Sequence, residues 1–586
     1  MSRRKRGETS YDEELKRRFG SAEGRFGFGA GGGRLPVVFG ILVLLMLFVV
    51  GRLIMVQVIM GPKYAKEAES HRTNIIEIQA RRGTIYDRNG NVLAMSEDCY
   101  DVYCNPKEVD DVAANAKLVQ SRLGGDVEDY TELMSKDSSF VYLVRKADKK
   151  ACDALKSELR NEGHTGVYFL GQTKRVYPFG RMCGQVLGMV NTDGKGISGI
   201  ELAYDEKLAG KNGKMIMETG LGGIPIAGGA YETTDPINGD DIVLAIDKDV
   251  QMFVEEQMEQ AILDNNAKTG LCMVCDPRNG EIIAACSTPY ADLSHPESIE
   301  ADALNLKLVS DSYEPGSIFK VLTAAIGLES GTVDASDYFT IPPTIYVGHD
   351  LVEDEDGRNK TMDMNLREVL RRSSNVGAAL IAEQAIGADA LAQGIAAFKI
   401  GELTGIDYPG EAAGLVKTRA QYDPSSVGSM SFGQGIAVPM VQMVRAVGSI
   451  AHGGKLVIPH FVVSVNGENL SWECNDRSVS EGTAEKVADM MRTVVEEGTG
   501  ESAAVEGYDV AAKTGTGEQA ENGSYVKDKY LASLIGFAPA KDAEVLVYVG
   551  LNETPYMSYS SAGPVFSAIM SEVLSDLSVP SFSRGV

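Results

Sequence analysis

Ser317 and Lys320, in the run Glu314-Pro315-Gly316-Ser317-Ile318-Phe319-Lys320, place a hydroxyl nucleophile and an amine three residues apart. The stretch 321–328 that follows is apolar and rich in helix formers, and Pro315-Gly316 marks a turn, so the pair is expected at a helix N-terminus. Positions i and i+3 share a helix face, which puts Lys320 Nζ within reach of Ser317 Oγ. A serine hydroxyl is a weak nucleophile until a base takes its proton. A lysine serves as that base only when burial or a second cation depresses its pKa. Ile318, Phe319 and Val321 supply the apolar surroundings. Taken alone, the Ser-x-x-Lys spacing also fits a capped helix followed by a solvated lysine. It recurs at Ser2/Lys5 and Ser524/Lys527, where no apolar helix follows.

Two downstream triplets decide between these readings. Arg371-Arg372-Ser373-Ser374-Asn375 contains Ser-x-Asn between two helical patterns, so Ser373 is expected to project from a loop. Lys513-Thr514-Gly515-Thr516 contains Lys-Thr-Gly at the end of the strand-like stretch 508–512, where its backbone can line a cleft. Chance copies of both triplets exist at Ser464-Val465-Asn466 and Lys268-Thr269-Gly270, the latter upstream of Ser317. Order and local setting therefore select Ser317, Lys320, Ser373, Asn375, Lys513, Thr514, Gly515 and Thr516. The ordered trio is that of serine β-lactamases and penicillin-binding proteins.

Beyond the trio, the chain resembles class B penicillin-binding proteins from an N-terminal membrane anchor almost to its C-terminus. Arg81-Arg82-Gly83-Thr84-Ile85-Tyr86-Asp87-Arg88-Asn89-Gly90, Gly199-Ile200-Glu201, Asp240-Asp241-Ile242-Val243-Leu244-Ala245-Ile246-Asp247 and Ser431-Phe432-Gly433-Gln434-Gly435 are similar to segments of that family. Without the resemblance, Gly433-Gln434-Gly435 is a lone glycine pair, and no Walker or dinucleotide fingerprint stands in its required context.

The resemblance implies that Ser317 attacks the D-Ala-D-Ala carbonyl of a peptidoglycan stem peptide, with Lys320 as proton acceptor. By the same resemblance, Ser373 relays a proton toward the leaving D-Ala, Lys513 keeps the local field positive, and Asn375 orients Lys320 and the donor peptide. Thr514 and Thr516 bind the terminal carboxylate, and the backbone N–H groups of Ser317 and Thr516 form the oxyanion hole. An amine of a second stem peptide then resolves the acyl-enzyme, while a β-lactam acylates the same serine and stays. The acidic run Glu353-Asp354-Glu355-Asp356 and Glu329 are expected to be surface carboxylates. A carboxypeptidase or β-lactamase-type hydrolase is the first alternative, and would need a positioned carboxylate to activate water. A non-catalytic scaffold or β-lactam sensor is the second.

Length and charge set the frame for these residues. A chain of 586 residues exceeds one ordinary core and predicts at least two folded domains. A net charge of −26 argues against nucleic acid as a partner. Residues 1–34 nevertheless hold nine Lys/Arg against five Asp/Glu, and the apolar run 35–60 follows, interrupted by Arg52 and Gln57. At 1.5 Å per residue that run spans about 39 Å, enough to cross a bilayer core. The basic arm before it predicts a cytoplasmic N-terminus. A cleaved signal peptide is the competing reading, but the run is long and no small-x-small site follows promptly.

The domain boundaries expected are a disordered tail at 1–34, a transmembrane helix at 35–60, an elongated pedestal or dimerisation-like domain at 61–235, and a penicillin-binding transpeptidase domain at 236–580. The fold class is α/β (α+β). In the last domain a helix at 247–265, strands at 271–275 and 282–285, helices across 301–491, strands at 508–514, 531–537 and 544–550, and a helix at 564–577 give an antiparallel sheet with an inserted helical subdomain. Short helices are expected at 117–123 and 149–160 of the pedestal. Eight unevenly spaced cysteines and six unclustered histidines predict no disulfide framework, no metal and no cofactor, and Cys272 and Cys275 are expected on opposite faces of a strand. The stretch before the junction is too short for a glycosyltransferase domain. The implied partners are therefore a polytopic membrane glycosyltransferase and other division proteins, at the septum (division or sporulation) rather than in elongation.

Overall fold

The computed structural model describes residues 34–64, 73–218, 231–521 and 524–581. The basic tail, apart from Arg34, and the chance pair Ser2/Lys5 lie outside the described residues. The chain forms two compact units, one taking in the described residues up to Ile76 with those from Met215 to Glu232, the other Glu77–Lys214 and Thr233 onward.

In the first unit the helix Arg34–Ile54 continues through a wider turn, Met55–Ile59, and the apolar stretch Pro36–Ile59 is helical for 24 residues. Its length of about 36 Å suffices to cross a membrane, and none of it is covered by protein. Strands Thr73–Ile78, Gly213–Glu218 and Tyr231–Thr234 form a three-stranded sheet in that order.

The second unit begins with a pedestal built on the strand Val92–Cys104, which pairs antiparallel with Val141–Asp148 on one side and Val167–Val176 on the other. Helices Val112–Leu123 and Lys149–Glu162 cover one face through Val119, Cys152 and Leu155, joined by the unanticipated helix Val127–Met134. The three family-like segments of this region converge. Arg82 Nε donates to Glu201 Oε2 at 2.5 Å, Gly83 lies so close to Asp240 that a Cβ there would stand 1.9 Å from the Asp240 carbonyl oxygen, and Ile85–Tyr86 pairs in parallel with Ile242–Leu244.

A five-stranded sheet follows. Helix α1 (Lys248–Asp264) is capped by Asp247, whose carboxylate accepts the Asp249 and Val250 N–H groups. Next come β1 (Thr269–Cys275) and β2 (Ile282–Ser287), then α2 (Lys320–Glu329), α3 (Leu366–Arg372), α4 (Asn375–Ile381), α5 (Met440–Ala451) and α6 (Glu481–Glu497). Strands β3 (Ala511–Glu521), β4 (Ser524–Ala538) and β5 (Val545–Thr554) and helix α7 (Ala562–Asp576) complete it. The order is β2-β1-β5-β4-β3, antiparallel throughout, so strands from both ends of the domain share one sheet.

Both faces of this sheet are buried, which is why its strands are continuous apolar runs rather than alternating ones. On one face Val545, Val547 and Val549 pack with Val254, Phe566 and Ile569 of α1 and α7. On the other, Leu546 and Tyr548 pack with Phe319, Leu322, Met443 and Val487 of the inserted helical part. Cys272 faces the first core and Cys275 the second, as their odd spacing along β1 predicts. The inserted region is not wholly helical. Two short ladders, Phe339–Ile341 with Met362–Met364 and Thr344–Val347 with Asp350–Glu353, precede α3.

Candidate active site

Three elements bring the chemistry together: the turn entering α2, the kink between α3 and α4, and strand β3. Gly316 takes the left-handed φ of +56° that glycine tolerates, and a Cβ there would meet the Thr516 carbonyl oxygen at 2.9 Å. This seats the serine turn against β3. Residues Gly316–Phe319 form one 3₁₀ turn that runs directly into α2, so Ser317 and Lys320 face the same way as expected.

Ser373 ends α3 in the left-handed region, at φ 57° and ψ 38°, and Ser374 then caps α4 by accepting the Gly377 N–H at 2.8 Å. The Ser-Ser-Asn triplet is thus a sharp corner between two helices. It points Ser373 Oγ and Asn375 Oδ1 at the same lysine.

Lys320 Nζ lies 2.9 Å from Ser317 Oγ, 2.6 Å from the Ser373 carbonyl oxygen, 3.3 Å from Ser373 Oγ and 2.6 Å from Asn375 Oδ1. Lys513 Nζ also reaches Ser373 Oγ, at 2.9 Å, and lies 2.9 Å from the Thr514 carbonyl and 3.2 Å from Thr514 Oγ1. Ser317, both lysines and Thr514 are all buried. Burial draws the Lys320 pKa down to about 8, against the opposing pull of Glu355 and Asp354. Burial, then the like charge of Lys320, hold Lys513 well below the usual lysine range. Two ammonium groups sharing one hydroxyl repel, which disfavours the doubly protonated pair.

Ser317, Lys320, Ser373, Asn375, Lys513 and Thr514 therefore form one connected polar chain. Gly515 and Thr516 continue along β3. The Gly515 carbonyl accepts Ser533 Oγ at 3.1 Å and Ser558 Oγ at 2.5 Å, and Thr516 Oγ1 stands 3.0 Å from Ser558 Oγ. The chance copies fall elsewhere: Lys268 precedes β1, Ser464 sits in the strand Val462–Val465, and Ser524 and Lys527 lie in β4. A cavity of about 760 Å³ between His452, Arg477, Glu485 and Lys541 contains none of the site residues.

The comparisons with known proteins bear on what this arrangement belongs to. Residues 270–571 match the penicillin-binding protein transpeptidase domain, and residues 77–244 match the penicillin-binding protein dimerisation domain. PenA of Neisseria meningitidis, described as a peptidoglycan D,D-transpeptidase, is 32% identical over 515 residues, covering 86% of this chain and 85% of its own. The chain belongs to the penicillin-binding proteins.

Stage V sporulation protein D of Bacillus subtilis is another relative in this family, 31% identical over 559 residues and covering 93% of this chain and 85% of its own. Among solved structures, a protein of Atopobium parvulum described as a peptidoglycan glycosyltransferase is 40% identical, with a TM-score of 0.69 over 86% of this chain and all of that one. Among the described residues of this penicillin-binding protein, one helix, Pro36–Ile59, is long and apolar enough to cross a membrane, as in a single-pass membrane protein.

One expectation is overturned. Asp354 is not a surface carboxylate: its side chain is 4% exposed and accepts Ser374 Oγ at 2.8 Å, the Val376 N–H at 3.0 Å and Arg358 Nε at 2.7 Å. The acidic run that looked solvated turns inward at this residue because a buried guanidinium and a helix N-terminus both face it. Glu329, in contrast, is exposed, and accepts Ser480 Oγ at 2.7 Å beside the start of α6. Other partners carried little sequence signal. Thr499 pairs with Thr514 at 3.1 Å, and Ser558 backs Gly515 and Thr516, yet both come from turns outside the three motifs. Ser374 lies inside the triplet, but neither its cap on α4 nor its bond to Asp354 was read from the sequence.

Proposed function

We propose that this penicillin-binding protein is a peptidoglycan D,D-transpeptidase in which Ser317 is the nucleophile. The observation that carries the proposal is the 2.9 Å approach of Ser317 Oγ to a buried lysine amine whose pKa is drawn down to about 8. Ser317 Oγ attacks the carbonyl carbon between the two terminal D-Ala residues, and its proton passes to neutral Lys320 Nζ. The C–N bond breaks, and the leaving D-Ala amine takes a proton through Ser373 Oγ, which touches both lysines. Lys513 Nζ, on the same hydroxyl at 2.9 Å, borders this path. Backbone N–H groups of Ser317 and Thr516 serve as the oxyanion hole, Asn375 holds the donor peptide and Lys320, and Thr514 and Thr516 take the terminal carboxylate. An acceptor amine then attacks the ester, forming the cross-link and returning the proton to Ser317. A β-lactam opens on the same oxygen, but its amine stays tethered and the ester persists.

Asp354 cannot supply the carboxylate that the hydrolase alternative needs, because it is engaged by Arg358, Ser374 and the Val376 N–H. We assign residues 61–235 to the pedestal and 236–580 to the transpeptidase domain, with the tail before the helix cytoplasmic and everything after it outside. A polytopic membrane glycosyltransferase would supply the glycan strands at the septum. A tagged copy is expected at mid-cell or at the sporulation septum, and even labelling of the side wall would oppose that role. Exposure of the full-length protein to a fluorescent penicillin tests the nucleophile. Wild type is expected to label covalently and Ser317→Ala not at all; equal labelling of the variant would remove Ser317 from the mechanism.

A further inference from the structure

The residues holding the Ser373-Ser374-Asn375 corner in place come from a segment to which no role has been attached. Ser373 sits in a left-handed conformation that a non-glycine residue adopts only when its surroundings hold it there. The grip is supplied largely by one carboxylate. Asp354 Oδ1 and Oδ2 both accept from Ser374 Oγ, at 2.9 and 2.8 Å, and Oδ1 also accepts the Val376 N–H at 3.0 Å. Asp354 thus grasps the residues on either side of Asn375.

Arg358 completes the clamp. Its Nε donates to Asp354 Oδ2 at 2.7 Å, and its two terminal nitrogens donate to the carbonyls of Ile341, Pro342 and Lys360 at 3.0, 2.6 and 3.0 Å. The pair is buried, with side chains 8% and 4% exposed. Asn375 Nδ2 in turn reaches the Glu353 carbonyl, one residue before the clamp, at 3.4 Å. The hairpin Thr344–Val347/Asp350–Glu353, the Ser-x-Asn corner and Lys320 are therefore linked through two side chains.

We propose that Asp354, locked by Arg358, is a positioning residue for acyl transfer: it fixes the α3–α4 corner so that Ser373 Oγ and Asn375 Oδ1 stay on Lys320. A buried carboxylate spent on a backbone N–H, a hydroxyl and a guanidinium forms a rigid support of the kind that keeps functional side chains within a fraction of an ångström. The charged and titratable groups facing Lys320 are Lys513 from β3 and Asp354 and Glu355 from the segment before α3. Removing the Asp354 charge therefore also makes Lys320 easier to deprotonate.

The inference rests on Ser317 and Lys320 being nucleophile and base, and the experiment separates the two. Acylation of the full-length protein by a fluorescent penicillin is timed for wild type, Asp354→Asn and Ser374→Ala across pH 6–9, alongside thermal melting. Asp354→Asn is expected to slow acylation about 10-fold or more and to move the acid limb of the pH profile below the wild-type value of about 8. Ser374→Ala keeps the charge and the Arg358 pair, so it tests the grip alone if Asp354→Asn does not fold. It is expected to slow acylation about 3- to 10-fold with the limb unmoved. Wild-type rates in Ser374→Ala, or in a folded Asp354→Asn, would overturn the positioning role while leaving the Ser317 assignment intact. Labelling that survives Ser317→Ala would overturn the assignment itself.

Discussion

Lys320 and Lys513 approach one hydroxyl, Ser373 Oγ, at 3.3 and 2.9 Å, and that shared contact decides how a proton can move through the site. A base must be neutral to accept the Ser317 proton, and burial brings Lys320 to about 8 from an ordinary lysine value near 10.5. The sign follows directly: below about pH 8 the amine is protonated and acylation slows, and above it the rate levels off. Timed acylation between pH 6 and 9 is expected to rise with one ionisation near 8, and a flat profile would exclude Lys320 as the base. At this scale the sequence was most informative where types and spacing act locally. Ser317 and Lys320 needed only a helix. Lys513, and the corner carrying Ser373 and Asn375, were legible as triplets, and it was the family resemblance that implied they act beside Lys320. Asp354 was misread, since nothing in an acidic run tells which carboxylate turns inward to meet an arginine.

Among the elements, the serine turn is held by backbones packed at unusually short range. The Gly316 N–H donates to the Gly433 carbonyl at 3.3 Å, and Thr323 Oγ1 donates to the Ser431 carbonyl at 2.6 Å, so residues 431–433 back the turn and the first coil of α2. Gly433 has φ +83°, and a Cβ there would lie 2.2 Å from the Gly316 carbonyl oxygen. Gly433→Ala must then strain its own backbone and push the serine turn toward β3. We expect a loss of about 2 kcal/mol or more in stability, read by thermal melting, together with slowed acylation; an unchanged melt and rate would show that the turn has room to give. The strands of the sheet were legible as apolar runs, though β3 begins three residues later than its sequence suggests and β4 extends well before it. The two short ladders before α3 escaped notice because three- and four-residue strands leave almost no periodicity to read.

At the scale of the whole molecule, the pedestal begins in a buried ion network that joins three distant segments. Glu201 accepts Arg82 Nε at 2.5 Å and Arg175 Nε at 2.6 Å, and Arg82 Nη1 donates to Asp205 at 2.6 Å, with Glu201 fully buried. Arg82 and Glu201 each lie in a family-like segment, and their contact gives those two segments a shared physical purpose. Glu201→Gln leaves two buried guanidiniums short of charge and is expected to cost about 3 kcal/mol or more, seen as a lower melting temperature. Because the network lies away from Ser317, protein that remains folded should still label with penicillin; an unchanged melt would mean that the charges are dispensable.

The most direct test of the central claim uses substrate chemistry rather than an inhibitor. Full-length protein incubated with a stem-peptide thioester analogue, then digested and analysed by mass spectrometry, should carry the acyl group on the peptide containing Ser317 and release it when a D-amino acid acceptor is added. Acyl groups on any other residue, or none at all in protein that binds the analogue, would contradict the account.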